Sequence, residues 1–244
     1  MNNLYLLDDF AQHFNFIYAN TGSLKREAYQ MRNPTADQMD GLSSNSSVGS
    51  IDQYDAYSHH LLLQHKDTKV FAASVRIIQP SENTSQQRLP IEQHCQTNII
   101  AAGKRLSDLP KRSYSEMSRL RLNKHYLKME GVFKDEDKLI QGLCLASLAL
   151  TRILFHDYMF AELSVDLFKK LRSAGLSLEH ASGLINNSEP KAIFYLDLGS
   201  DINSSSPIYE LYQHILNEVA HQLNIPIIQD NDSLGSETNE AWTA

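Results

Sequence analysis

The nine residues Tyr114 to Leu122, YSEMSRLRL, constrain this chain more than any other stretch. Met117, Leu120 and Leu122 are ordinary residues of a buried strand. Glu116, Arg119 and Arg121 are not. A charge in the middle of a central strand is costly to desolvate unless it is paired or has work to do. Glu116 is therefore either half of a structural ion pair with one of the arginines or a member of a site. The strand period bears on the choice. Glu116 and Ser118 share one face of a regular strand, and Arg119 points the other way. A β-bulge near Ser118 would bring the three together, and bulges favour active sites. Without a bulge, Arg119 becomes a scaffold partner for Asp52 or Asp55.

The chain has 244 residues, within range of one large domain or two small ones. The expectation is a single domain over residues 1–228 with a polar tail over 229–244. The formal charge of −7 argues against nucleic-acid binding. That charge is uneven: residues 104–138 hold ten Lys or Arg against six Asp or Glu, whereas the first sixty hold three against seven. The N-terminal MNNLYLLDDF has neither a basic region nor a long apolar run, so it does not read as a signal peptide. No stretch has the length and apolarity of a membrane span. Cys95 and Cys144 lie in no metal-ligand spacing and read as small buried thiols. No HxxxH or HExxH occurs, so no metal is expected, and no GxSxG elbow occurs. A soluble, cytoplasmic protein follows.

Periodicity predicts the elements. Leu4, Leu7, Phe10, Phe14 and Ile17 suggest an amphipathic helix over 4–16, and Ser23 a cap for a second helix ending before Asn33-Pro34. Residues 34–50 read as a mobile loop. Strands are expected at 58–65, 69–78, 114–122, 158–164, 176–182 and 191–198. The first three should be antiparallel. The strands at 114–122 and 158–164 should run parallel and splay apart. An irregular or helical piece covers 89–102. Helices are expected at 136–156, nearly apolar on all sides and hence under a sheet, at 165–174 closed by Gly175, and at 208–223. The fold class is α/β (α+β), with a mixed central sheet.

Charged positions recur at strands and their edges: Asp52 and Asp55 in IDQYD, Arg76 in SVRII, then Glu116 and Arg119, which flank Ser118 in E-x-S-R. In that order they resemble the acyl-homoserine-lactone synthases. They resemble still more the acyltransferases associated with the PEP-CTERM/exosortase system and the N-acyl amino acid synthases. LKREAYQMR is similar to the basic-aromatic patch of those relatives, with Lys25 or Arg26 before Tyr29. Ser58, His60 and Leu61 are similar to their S-x-H-L strand opening. The resemblance, over roughly residues 14–200, implies a GNAT-like acyltransferase fold with helices on both faces of the sheet. It also implies acyl transfer from a carrier-protein or coenzyme A thioester to an amine, at Asp52, Asp55, Arg76, Glu116, Ser118 and Arg119. The tryptophan that follows the patch in the lactone synthases is missing, since the single Trp is Trp242.

The residues suit that chemistry on their own terms. Aminolysis of a thioester needs a neutral amine, a polarised carbonyl and a proton acceptor. Glu116 can take the proton directly or through one water. A strand N–H can hold the oxyanion. Arg76 or Arg119 can bind an acceptor carboxylate in a bidentate pair. Asp52 and Asp55 can attract a cationic amine, or simply cap and pair within their loop. Residues 123–136 hold one glycine, Gly131, where coenzyme A binding in GNAT enzymes usually uses a glycine-rich loop. Lys124, Lys128 and Lys134 suit an acidic acyl carrier protein, or form a solvated face. The expected function is N-acyl transfer from acyl-ACP, or less readily acyl-CoA, to a small amine such as an amino acid, with no bound cofactor. The rivals are a catalytically silent acyl-binding or regulatory protein and a lactone-type signal synthase.

Overall fold

A computed structural model describes residues 10–32, 51–80, 88–94, 99–185, 190–199, 206 and 208–226. Strand β1 (Phe14–Tyr18) follows a helical turn at 10–13 and leads into helix α1 (Gly22–Gln30). Strands β2 (Ser58–His65) and β3 (Phe71–Ile78) form a hairpin. A short helix α2 (Pro90–His94) and a small hairpin, β4 (Ile100–Ala101) with β5 (Lys104–Arg105), precede the central strand β6 (Tyr114–Leu122). Next come α3 (Lys124–Lys128), α4 (Glu136–Ile153), β7 (Tyr158–Ser164), α5 (Val165–Ser173), β8 (Glu179–His180), β9 (Lys191–Asp197) and α6 (Tyr209–Leu223).

Seven strands form one sheet in the order β1-β2-β3-β6-β7-β9-β8. Strands β1, β2, β3 and β6 pair antiparallel in that order. Strand β7 joins β6 in parallel, as a crossover through α4 requires. The parallel ladder runs from Tyr114–Tyr158 to Met117–Ala161 and stops. Beyond it β6 continues along β3 and β7 continues along β9, so the two strands splay apart.

Helix α4 explains which face is core. Asp135 caps it by accepting the Lys138 N–H at 3.1 Å. Its residues from Leu139 to Ile153 are buried almost without interruption, because it lies between the sheet and α6. Helices α4, α5 and α6 share this face with Leu61, Leu63, Val75, Ile77, Met117, Met159 and Phe194. The opposite face carries α1, the 51–57 loop and the segments 88–94 and 99–113, over Ile78, Tyr114, Phe160, Ile193 and Tyr195.

Several local expectations need correction. Phe14–Tyr18 is an edge strand rather than helix, with Phe14 and Phe16 inward in period two. Its outer edge is met by α6: the Phe16 and Tyr18 N–H groups donate to Glu218 Oε1 and Gln222 Oε1 at 3.2 and 2.8 Å. Thr21, not Ser23, caps α1. The 176–182 strand shrinks to Glu179–His180, and the 89–102 piece is a five-residue helix followed by one side of a hairpin. The loop expected at 34–50 and the tail at 229–244 lie outside the described residues.

Candidate active site

The site grows from two cross-strand rows on the face opposite α4. In one row His60 of β2 stands beside Arg76 of β3, and Arg76 beside Ser118 of β6. In the next, Ser58 stands beside Ile78, Ile78 beside Glu116, and Glu116 beside Phe160. Residues opposite one another in a ladder share a face. The pairing therefore gathers His60, Arg76, Ser118 and Glu116 where β6 and β7 part.

A bulge adds Arg119. Ser74 pairs with Arg121 but Arg76 pairs with Ser118, so β6 carries one extra residue opposite Val75. Arg119 sits in this bulge with φ +52°, a left-handed conformation normally left to glycine. Its Nη2 donates to Asp52 Oδ2 at 3.1 Å. The strain is the cost of turning a side chain from the far face toward Ser118 and Asp52.

The 51–57 loop supplies the acids. Asp52 makes an Asx-type turn, its Oδ1 accepting the Tyr54 N–H at 3.0 Å. Asp55 Oδ2 accepts the Asp52 N–H at 2.9 Å. Ser58 pins the turn, its hydroxyl donating to the Tyr54 carbonyl at 2.6 Å. Arg76 then crosslinks loop and sheet. Its Nη1 reaches Asp52 Oδ1 at 2.6 Å and Asp55 Oδ1 at 3.0 Å, and its Nε donates to Ser118 Oγ at 3.0 Å. Its guanidinium also lies over the Tyr54 ring, 5.6 Å from the centroid.

A third guanidinium closes the cluster. Arg32, just past α1, donates from Nη1 to both Asp55 oxygens, at 2.7 and 2.9 Å. Its Nη2 donates to His60 Nδ1 at 2.9 Å, and its guanidinium stacks over Tyr29. Lys25 and Arg26 of the basic-aromatic patch stay outside this network, so the arginine that enters the cluster is Arg32. Spacing to Tyr29 could not reveal it, because the contact depends on where the loop carries Asp55. Burial alone would raise the Asp55 carboxyl, but the Asp52 N–H and the bonds and charge of Arg32 outweigh it, leaving the group below its ordinary range. Asp52 is lowered in the same way, burial being outweighed by Arg76 and Arg119.

Glu116 behaves differently. It is buried, and its Oε2 accepts the Ile91 N–H of α2 at 3.0 Å. Among the described residues it makes no ion pair, so the structural pair with an arginine is not what holds it. Burial pushes its carboxyl up to about 8, with the Ile91 N–H and the charge of Arg76 only partly opposing. The two carboxylates of the 51–57 loop are held ionised by arginines. Glu116, on the adjacent row, is held as a weak acid able to exchange a proton near neutral pH.

Arg76 is committed inward, with its side chain 2% exposed, whereas Arg119 is 37% exposed. Lys124, Lys128 and Lys134 are all exposed, on α3 and the loop before α4. The N-terminus of α4 carries Asp135, Glu136 and Asp137.

This architecture, a mixed sheet splayed between its two central parallel strands with helices on both faces, is the GNAT-like acyltransferase fold. Residues 26–133 match the model of the acetyltransferase (GNAT) domain. The chain resembles the AHL synthase LasI with a TM-score of 0.54, 15% identity and coverage of 81% of this chain and 94% of that one. It resembles TofI, solved in a ternary complex with an inhibitor and MTA, with a TM-score of 0.52, 10% identity and coverage of 83% and 96%. A third likeness is the CoA-dependent acyl-homoserine lactone synthase BjaI with MTA, with a TM-score of 0.52, 12% identity and coverage of 88% and 92%. No curated protein matches the chain. At these identities the likeness is one of fold. Among the described residues, no helix is long and apolar enough to cross a membrane.

Proposed function

We propose that this protein is an N-acyltransferase that moves a fatty acyl chain from a thioester to a small amine bearing a carboxylate, such as an amino acid. The observation that carries the reading is Glu116. It is a buried carboxyl without an ion pair among the described residues, raised to about 8, at the mouth of the β6–β7 splay. Such a group is expensive to keep for structure alone. As a base it takes one proton from the acceptor's ammonium, directly or through a water, so that the neutral amine can add to the thioester carbonyl; the adduct then breaks its C–S bond, and the thiolate leaves with the second amine proton as the thiol. No β7 residue pairs with β6 beyond Met117, and a main-chain N–H on that edge is suited to hold the oxyanion. Arg119, half-exposed and bonded once to Asp52, is the guanidinium suited to the acceptor's carboxylate. Asp52, Asp55, Arg76 and Ser118 form the frame that places it.

An acyl carrier protein is the favoured donor. A coenzyme A diphosphate is favoured by a bare helix N-terminus. Here that end of α4 is capped by Asp135 and followed by Glu136 and Asp137, three carboxylates against an anion. The exposed Lys124, Lys128 and Lys134 suit the acidic face of a carrier protein. The ordered set IDQYD, SVRII and E-x-S-R supports a place beside the PEP-CTERM/exosortase-associated acyltransferases, acting in the cytoplasm, where such donors and acceptors are made.

The test is mass spectrometry of lipids from cells expressing the protein, followed by assay with matched acyl-ACP and acyl-CoA donors. The expected product is an N-acyl amino acid, formed faster from acyl-ACP. A lactone product would support a signal synthase instead. No acyl product from either donor would leave an acyl-binding or regulatory protein.

A further inference from the structure

Two residues of the S-x-H-L opening serve the site without belonging to its proposed chemistry. Ser58 and His60 lie on one face of β2, and each holds a different piece of the cluster to the sheet. Ser58 fixes the Tyr54 carbonyl. His60 is fully buried and meets Arg32 through Nδ1 at 2.9 Å. A guanidinium can only donate, so this nitrogen must be the unprotonated one. The proton of the neutral ring then sits on Nε2. That atom is buried, without a hydrogen-bond partner among the described residues, 3.6 Å from Asp55 Oδ1. The Tyr29 ring meets the imidazole edge to face, with centroids 5.3 Å apart, and limits its rotation. Burial and the neighbouring Arg32 charge push the ring down to about 3, so it stays neutral at any working pH.

We propose that His60 is a positioning residue: its unprotonated Nδ1 fixes the plane of Arg32, and Arg32 in turn fixes Asp55 and the loop that carries Asp52 to Arg76 and Arg119. Arg32 touches this cluster with one guanidinium shared between two anchors. Asp55 takes Nη1 and the Tyr29 ring covers the guanidinium, but among the described residues only His60 accepts a hydrogen bond from Nη2. The fork could then rotate about its bonds to Asp55, and the loop would follow. The arrangement parallels the orienting partner of a working side chain, which acts through another group rather than on substrate. Its effect on rate rests on the acyltransferase reading; the clamp itself does not.

Nitrogen-15 NMR of the wild-type protein reads the clamp directly. The expected result is a His60 ring protonated at Nε2 and bare at Nδ1, with Arg32 Nη protons slow to exchange. His60→Leu should release those protons and lower kcat/KM by about 10–100-fold, the scale of a site displaced by up to about 1 Å. His60→Asn, whose Oδ1 can accept from Nη2, should restore most of the rate. A merely structural histidine would lower the melting temperature and leave kcat/KM unchanged. A ring protonated at Nδ1, or a folded His60→Leu with wild-type kcat/KM and protected Arg32 protons, would overturn the proposal. Should His60→Leu not fold, the wild-type spectrum decides. A wild-type protein without transferase activity would sink the proposed function alone, since the ring nitrogens still report on the clamp.

Discussion

The two faces of the sheet are built on opposite principles. The face under α4 is apolar, helical and continuous, and its polar groups are few: Ser147 and Thr151 donate to carbonyls one turn back at 2.8 Å, and the Tyr126 hydroxyl is buried without a partner among the described residues. The other face is roofed by α1, the 51–57 loop and short turns. It gathers three guanidiniums, two aspartates, a histidine and a glutamic acid around one strand, with Arg32, Arg76, Asp55, His60 and Glu116 buried and Asp52 and Arg119 partly exposed. The first face is stabilised by burial of area and tolerates what fits. The second is held by charges that are costly singly and tolerable together. Within it, Asp55 and Glu116 are both buried carboxyls, yet arginines lower one while burial raises the other. Proton exchange near neutral pH belongs to the one without an ion pair among the described residues.

Breaking the charged network should have the largest effect on stability. Asp55→Asn keeps the shape but leaves Arg32 without a counter-charge and Arg76 with Asp52 alone. A loss of about 3–5 kcal/mol is expected in chemical denaturation. The sign with pH follows: Asp52 and Asp55 are lowered below their unfolded value of 3.8, so their contribution is present above it and is lost as pH falls through their folded values. A smaller loss, about 1–3 kcal/mol, is expected on the apolar face for Gly142→Ala. A Cβ there would stand 2.5 Å from Cε1 and Cζ of the Phe10 ring. If Gly142→Ala costs more than Asp55→Asn, the contrast between the faces is misdrawn. Smallest in stability is the triple charge reversal at Lys124, Lys128 and Lys134, all exposed. It should raise KM for acyl-ACP with little change in kcat or melting temperature, because rim charges mainly steer encounter. Added salt should weaken the wild-type interaction in the same direction.

The sequence made the apolar face legible through periodicity alone, and α4 and strands 58–65, 114–122 and 158–164 fall where the pattern places them. Phe14–Tyr18 went astray because Phe14 and Ile17 fit a helical spacing as well as a strand. What decided it was the edge of β2 and the reach of Glu218 and Gln222, which are distant in sequence. On the charged face, the anomaly of Glu116 and the arginines was visible because charges in an apolar strand demand a reason. The bulge that reconciles Ser118 with Arg119 was legible only as a condition, and the register supplies it. Arg32, the Nδ1 role of His60 and the Ile91 N–H on Glu116 were not legible. Each is a contact between segments whose meeting depends on the loop path.

The central claim rests on Glu116 as a proton acceptor, and the pH profile of kcat/KM for wild type and Glu116→Gln tests it most directly. The wild-type rate should rise with pH and level off above about 8, as the carboxyl ionises. Glu116→Gln should keep the Ile91 hydrogen bond, fold normally, lose about 10²–10⁴-fold in kcat and show no such rise. Stability supplies the matching sign. The folded carboxyl titrates above its unfolded value of 4.5, so its stabilising contribution is present below that value and is lost as pH rises through about 8. Glu116→Gln should remove that part of the decline. A folded Glu116→Gln enzyme with wild-type kcat and an unchanged pH profile would contradict the account.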